Sequence, residues 1–187
     1  TPLPIEDLGV AEVKQSQIRL IVNKIRRYLA SQGLKELITY SFIDEFGSKL
    51  FREGKKEVTL INSISSEMTH LRPSLFPGLL AASKKNIARG LTDFSCFEIG
   101  EVFMGSDPGQ ENLEISGILV GFNEERSAYQ TRRAFDIFDA KSYVEGTLRH
   151  LGINPDSLQL DRDVPSFFHP NKSAVIRLGK FKVMGVF

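Results

Sequence analysis

The sequence predicts an α+β fold, an antiparallel or mixed sheet with helices covering one face. Three observations carry this. Apolar residues recur at three and four in two long stretches, the mark of amphipathic helices. Other stretches alternate or run apolar between Gly-rich turns, as strands do. The last two strands are separated only by Gly179-Lys180, a direct hairpin that favours antiparallel pairing.

The first helix is predicted over Gln15–Gln32, where Ile18, Ile21, Val22, Ile25, Tyr28 and Leu29 form the stripe and Gly33 the stop. Arg26 and Arg27 lie largely off that stripe, either as a solvated face near the helix C-terminus or as a nucleic-acid contact. In Leu34–Phe42, Ile38, Tyr40 and Phe42 alternate with Thr39 and Ser41, which reads as a half-buried strand. Asp44 is placed to cap a short helix ending near Leu50, and Glu57–Ile61 reads as a further strand.

Arg72 precedes Pro73 and is pushed toward extended backbone. Pro77 fits the first turn of a helix, Ser74 is a candidate cap, and Gly90 ends the helix. Phe94–Phe103 is a strand with Phe97, Ile99 and Phe103 on one side and Cys96 and Val102 on the other. Glu114–Phe122 is the next strand, and Asn123–Arg133 a polar loop. Asp139 reads as the cap of a helix whose stripe runs from Ala140 to Leu151. Leu158–Leu160, Ser173–Leu178 and Lys180–Phe187 complete the strands.

The 187 residues are 41% hydrophobic, enough for one substantial core. Fourteen phenylalanines and no tryptophan make that core bulky. Twenty-four basic residues meet 23 acidic ones, so net charge gives nucleic-acid attraction no long-range support. A single cysteine, Cys96, excludes an internal disulfide and reads as a buried free thiol, consistent with a reducing compartment. No apolar run approaches the roughly 18 residues of a membrane span. Pro2 and Pro4 make residues 1–13 a linker or arm ahead of one domain over 14–187. The Pro-rich start and the finish inside a strand predict a piece of a longer chain, truncated at its C-terminus.

No metal spacing, phosphate loop, dinucleotide fingerprint or serine elbow is present. Polar candidates concentrate in Leu71–Phe103. Arg72 and Glu98 either bind an anionic substrate or are paired groups within a helix–strand unit. Glu98 and Glu101, three apart in a strand, point to opposite faces and form no local carboxylate pair.

An ordered series of motifs then adds what spacing does not. It comprises GLKELITYSF, LINSISSEMTHLRPSLFPGLLAASKKNIARG, FSCFEIGEVF, FDIFDAKSYVEGTLRHLGI and HPNKSAVIRLGK. The series resembles the core of the beta subunit of bacterial phenylalanyl-tRNA synthetases, with Ser63 where a proline is usual and Asn171 where a glycine often stands. The resemblance implies the class II synthetase fold in a cytoplasmic enzyme of two alpha and two beta subunits. It implies that the alpha subunit activates phenylalanine with ATP and Mg²⁺ and transfers it to tRNA(Phe). The beta core is then a structural partner that has lost the catalytic motifs and binds no cofactor itself. Met104, directly after Gly100-Glu101-Val102-Phe103, stands where the catalytic relative has its ATP-reading arginine. The first helix resembles a subunit-interface element, making Ile18, Ile21, Val22 and Ile25 interface candidates. The alternatives are an independently ATP-binding class II ligase fragment, or a nucleic-acid module using Lys84–Arg89.

Overall fold

The computed structural model describes residues 16–123, 131–179 and 182–187. The arm expected at 1–13, most of the 123–133 loop and part of the Gly179-Lys180 turn lie outside them. Four helices, α1 Gln17–Ser31, α2 Glu45–Phe51, α3 Phe76–Ala88 and α4 Ile137–His150, alternate with eight strands. The strands are β1 Lys35–Glu36, β2 Phe42–Ile43, β3 His70–Leu71, β4 Phe94–Phe103, β5 Glu111–Val120, β6 Gln159–Asp161, β7 Val175–Leu178 and β8 Lys182–Val186. The expected mixed α+β architecture is present.

The central sheet has the order β1-β4-β5, with β1 parallel to β4 and β4 antiparallel to β5 over the full length of both strands. β2 and β3 pair separately, and β6-β7-β8 form a three-stranded antiparallel sheet. One expectation is corrected here: helices cover both faces of the central sheet, not one. The reason lies in β4, whose two sides are each apolar. Phe97 packs with Ile25, Leu29 and Leu34 beneath α1, with Tyr143 and Leu151 of the α4 region joining from the edge. Cys96 and Val102 pack with Leu75 and Leu79 beneath α3. A strand buried on both sides needs a cover on each.

Local chemistry sets the helix boundaries. The Ser16 hydroxyl accepts from the Arg19 N–H and starts α1, and Asp44 accepts from Gly47 N–H and starts α2. At α4 the cap is Asp136, not Asp139. Asp139 sits at the third helical position and returns the favour to the Asp136 N–H, a reciprocal capping box. α3 starts from Leu75, which offers no side-chain cap; the expected Ser74 is one residue earlier, and its hydroxyl accepts from the Phe76 N–H at 3.4 Å, while Pro77 in the first turn reduces the number of donors needing a partner. Glu57–Ile61 does not form a strand. Thr59 makes one isolated bridge to His70, and Glu57 instead holds Arg52 at 3.0 Å and His70 at 3.1 Å. Phe51, Phe76, Phe167 and Phe168 form a ring cluster with centroid separations from 4.9 to 6.1 Å. It ties the loop before β7 to α2 and α3.

Candidate functional site

β4 places Cys96, Glu98, Gly100 and Val102 on the side facing α3. Glu98 is therefore carried into the interior by strand alternation, while Glu101 points to solvent. Arg72, extended ahead of Pro73, enters the same layer from the end of β3. Both are nearly sealed: Arg72 is 4% and Glu98 2% exposed. The Arg72 Nη1 donates to Glu98 Oε1 at 2.6 Å and to Thr39 Oγ1 at 3.1 Å, and its Nε donates to the Glu101 carbonyl at 2.9 Å. Thr39 donates to Glu98 twice, from its backbone N–H to Oε1 at 3.1 Å and from its hydroxyl to Oε2 at 2.8 Å. Each carboxylate oxygen thus has a donor, the condition under which a buried charge is tolerated.

Two glycines make room for this lattice. A methyl group on Gly100 would lie 2.3 Å from Arg72 Nη2, and one on Gly78 would lie 2.2 Å from Thr39 Oγ1. The guanidinium therefore approaches the β4 backbone closely at Gly100, and α3 closes on Thr39 at its first turn.

The structure brings Arg72 and Glu98 together as the paired alternative. Thr39 was not singled out by sequence, although the alternation around it was visible. The sense of that alternation is reversed. Thr39 faces inward while Ile38 is 91% and Tyr40 75% exposed. Residues 37–41 are not a regular strand, because the Thr39 N–H is taken by a side chain 59 residues away rather than by a neighbouring strand. The α1 stripe divides. Ile25 is 4% exposed and belongs to the chain's own core, so it is not available to a partner. Ile18 is 65% and Ile21 46% exposed, and Val22 is partly exposed.

Met104 begins the β4–β5 turn, with its N–H donated to the Gln110 carbonyl at 2.8 Å. Among the described residues no group of three His, Cys, Asp or Glu is placed to hold a metal. None of the described helices is long and apolar enough to cross a membrane. Burial raises the Cys96 thiol above its ordinary range and favours the neutral form.

The architecture has solved counterparts. Pyrrolysyl-tRNA synthetase from Desulfitobacterium hafniense matches 90% of this chain and 57% of its own, with a TM-score of 0.63 at 15% identity. A second structure of that organism's pyrrolysyl-tRNA synthetase gives 0.61, covering 87% of this chain and 55% of its own, also at 15% identity. At that identity the likeness is one of fold, and the fold is that of the class II aminoacyl-tRNA synthetases. Within it, the chain belongs to the family described as the phenylalanyl-tRNA synthetase beta chain CLM domain, which matches residues 6–187. It is 44% identical over 178 residues to the phenylalanine–tRNA ligase beta subunit of Cereibacter sphaeroides, covering 95% of this chain and 22% of that protein. It is 41% identical over 186 residues to that of Ruegeria pomeroyi, covering 100% of this chain and 23% of that protein. The chain therefore spans under a quarter of the length of these relatives.

Proposed function

We propose that this chain is the non-catalytic structural core of a phenylalanine–tRNA ligase beta subunit. It supports an alpha subunit that ligates phenylalanine to tRNA with ATP and Mg²⁺. One observation carries the reading: the buried arginine of the candidate site is already occupied. Arg72 is neutralised by Glu98 and spends its three described hydrogen bonds within the chain, so its charge is not offered to a phosphate. Met104 supplies no guanidinium at the mouth of the turn. The interior of the site presents one arginine, already bonded to Glu98, and among the described residues no group of three His, Cys, Asp or Glu is placed to hold a Mg²⁺ ion.

The partner follows from the apolar side chains left outside. Ile18 and Ile21 on α1, and Ile38 and Tyr40 beside the lattice, are held on ordered segments with their apolar surface in water. The alpha subunit covers at least the α1 surface in this reading. The test uses the full-length beta subunit with Ile18→Asp and Ile21→Asp together. Association with purified alpha subunit is expected to weaken by at least about tenfold, which corresponds to about 1.4 kcal/mol. Unchanged association of the folded variant would contradict the assignment.

A further inference from the structure

The turn that ends α2 reaches four separate parts of the chain. Phe51 packs its ring against Phe76 of α3 and, at 4.9 Å, against Phe167. Arg52 donates to Glu57 Oε2 at 3.0 Å, and Glu57 Oε1 meets His70 Nε2 of β3 at 3.1 Å. Glu53 Oε1 accepts the Ser166 N–H at 3.0 Å from 113 residues further along the chain. Lys55 Nζ donates at 2.7 Å to the carbonyl of Pro73, the residue after Arg72.

The same turn carries backbone strain. Glu53 has a φ of 48° and is the one non-glycine in the left-handed region among the described residues; Gly54 follows at 77°. A residue with a Cβ is disfavoured there, and glycine fills the position when no side chain is needed. Such a residue persists where its surroundings hold it in place. Here the carboxylate supplies the hold, through the Ser166 N–H. Residues 162–174 contain no helix or strand. Toward α2 and α3 their loop is seated by that bond and by Phe167 and Phe168, whose rings meet Phe76 at 5.8 and 5.6 Å.

We propose that the 51–55 turn is a strained joint through which the 165–169 loop and β3 open together, as one unit that leaves α1 and α4 in place. Loss of the Glu53 bond frees the loop and removes the contact that offsets the left-handed backbone. The turn then relaxes, and Arg52 and Lys55 lose their fixed aim at Glu57 and Pro73. β3 in turn loses the support that reaches it through Glu57 and His70. α1 and α4 stand outside this chain of contacts, packed on the Phe97 side of β4. Local opening groups segments by the contacts they share, not by their order in sequence.

The test is amide hydrogen exchange on the full-length beta subunit carrying Glu53→Gly or Glu53→Gln. Glycine removes the carboxylate and accepts the left-handed backbone without strain, so any loss of protection reports on the bond alone. The loop is read at the Phe168 N–H, which donates to the Pro165 carbonyl. β3 is read at the Leu60 and Leu71 N–H groups, which donate to the Thr69 and Val58 carbonyls. In Glu53→Gly, exchange at all three is expected to rise about tenfold, the loss of a hydrogen bond to a charged acceptor, while α1 and α4 keep the parent rates. Glu53→Gln keeps an acceptor of the same reach and is expected to lie closer to the parent than to Glu53→Gly. Faster exchange in the loop with β3 unchanged would overturn the coupling. Unchanged exchange in both, a rise shared by α1 and α4, or equal loss in the two variants would overturn the joint itself.

Discussion

The two faces of β4 are built on opposite principles from adjacent residues. Phe97 enters a wholly apolar layer with Ile25, Leu29 and Leu34. Glu98, its neighbour, enters a layer where Leu75, Leu79, Cys96 and Val102 surround a charged lattice of Arg72, Glu98 and Thr39. The first face is held by area removed from water, which is non-directional and tolerant of reshaping. The second is held by directed bonds and fails if one member is lost. A buried ion pair contributes little net stability over an apolar replacement, but it specifies geometry. Here it fixes the 37–41 segment to β4 and turns Ile38 and Tyr40 outward. The contrast shows how a synthetase-like sheet can keep a polar interior without offering it to a ligand.

Single substitutions can break that contrast. Glu98→Ala, which strands the Arg72 guanidinium, is expected to destabilise the chain by about 3–5 kcal/mol in urea unfolding. Phe97→Ala is expected to lose a similar amount, about 3–5 kcal/mol, by leaving a cavity. The faces separate on rescue. Adding Arg72→Met to Glu98→Leu should return stability to within about 1–2 kcal/mol of the parent, because a satisfied charge pair and a packed apolar pair are near equivalents. If the double variant is no better than Glu98→Ala, the lattice contributes more than mutual satisfaction. Gly100→Ala is the intermediate case. Its methyl group meets Arg72 Nη2, an atom whose guanidinium is anchored on two other nitrogens, and a loss of about 1–3 kcal/mol is expected by thermal unfolding.

Away from both faces the expected effects are smaller. Asp136→Ala removes the α4 cap and should lower stability by about 1 kcal/mol. Its partner Asp139 adds a pH signature. The hydrogen bond from Arg133 holds the Asp139 carboxyl below its ordinary value. A carboxyl lowered on folding stabilises fully above the unfolded value of about 3.9 and loses that contribution as pH falls through the folded value. The stability gap between the parent and Asp139→Asn should therefore be constant from neutral pH down to about pH 4 and shrink below it. A gap that widens on acidification would contradict this. Ile18→Ser should change the stability of the chain by less than about 0.5 kcal/mol, since the side chain is largely in water.

Much of this architecture was legible in local pattern. β4 has the bounds Phe94–Phe103 that its apolar run marks, and its two-sided burial follows from Cys96 and Val102 opposing Phe97 and Ile99. α1 and α3 stop just ahead of the glycines that mark their ends, Gly33 and Gly90, and Asp44 caps α2 as its position suggests. What was not legible depends on long-range partners. Thr39 points inward because Glu98 claims its hydroxyl and N–H, and periodicity alone assigns the larger Ile38 and Tyr40 to the interior. Asp136 and Asp139 are both competent caps, and only the geometry of the chain entering α4 decides which is first. Arg72 and Glu98 were recognisable as polar groups near an apolar unit, but their pairing became visible only once Arg72, just after β3, was placed against β4.

The central claim is that the arginine of this synthetase-like interior is closed on its own glutamate, leaving the activation chemistry to another chain. ATP–pyrophosphate exchange by the purified beta subunit, with phenylalanine, MgATP and no alpha subunit, tests it most directly. The expected rate is that of a blank, rising only when alpha subunit is added. Exchange above the blank in a preparation free of contaminating synthetase, and abolished by Arg72→Met with Glu98→Leu, would contradict it.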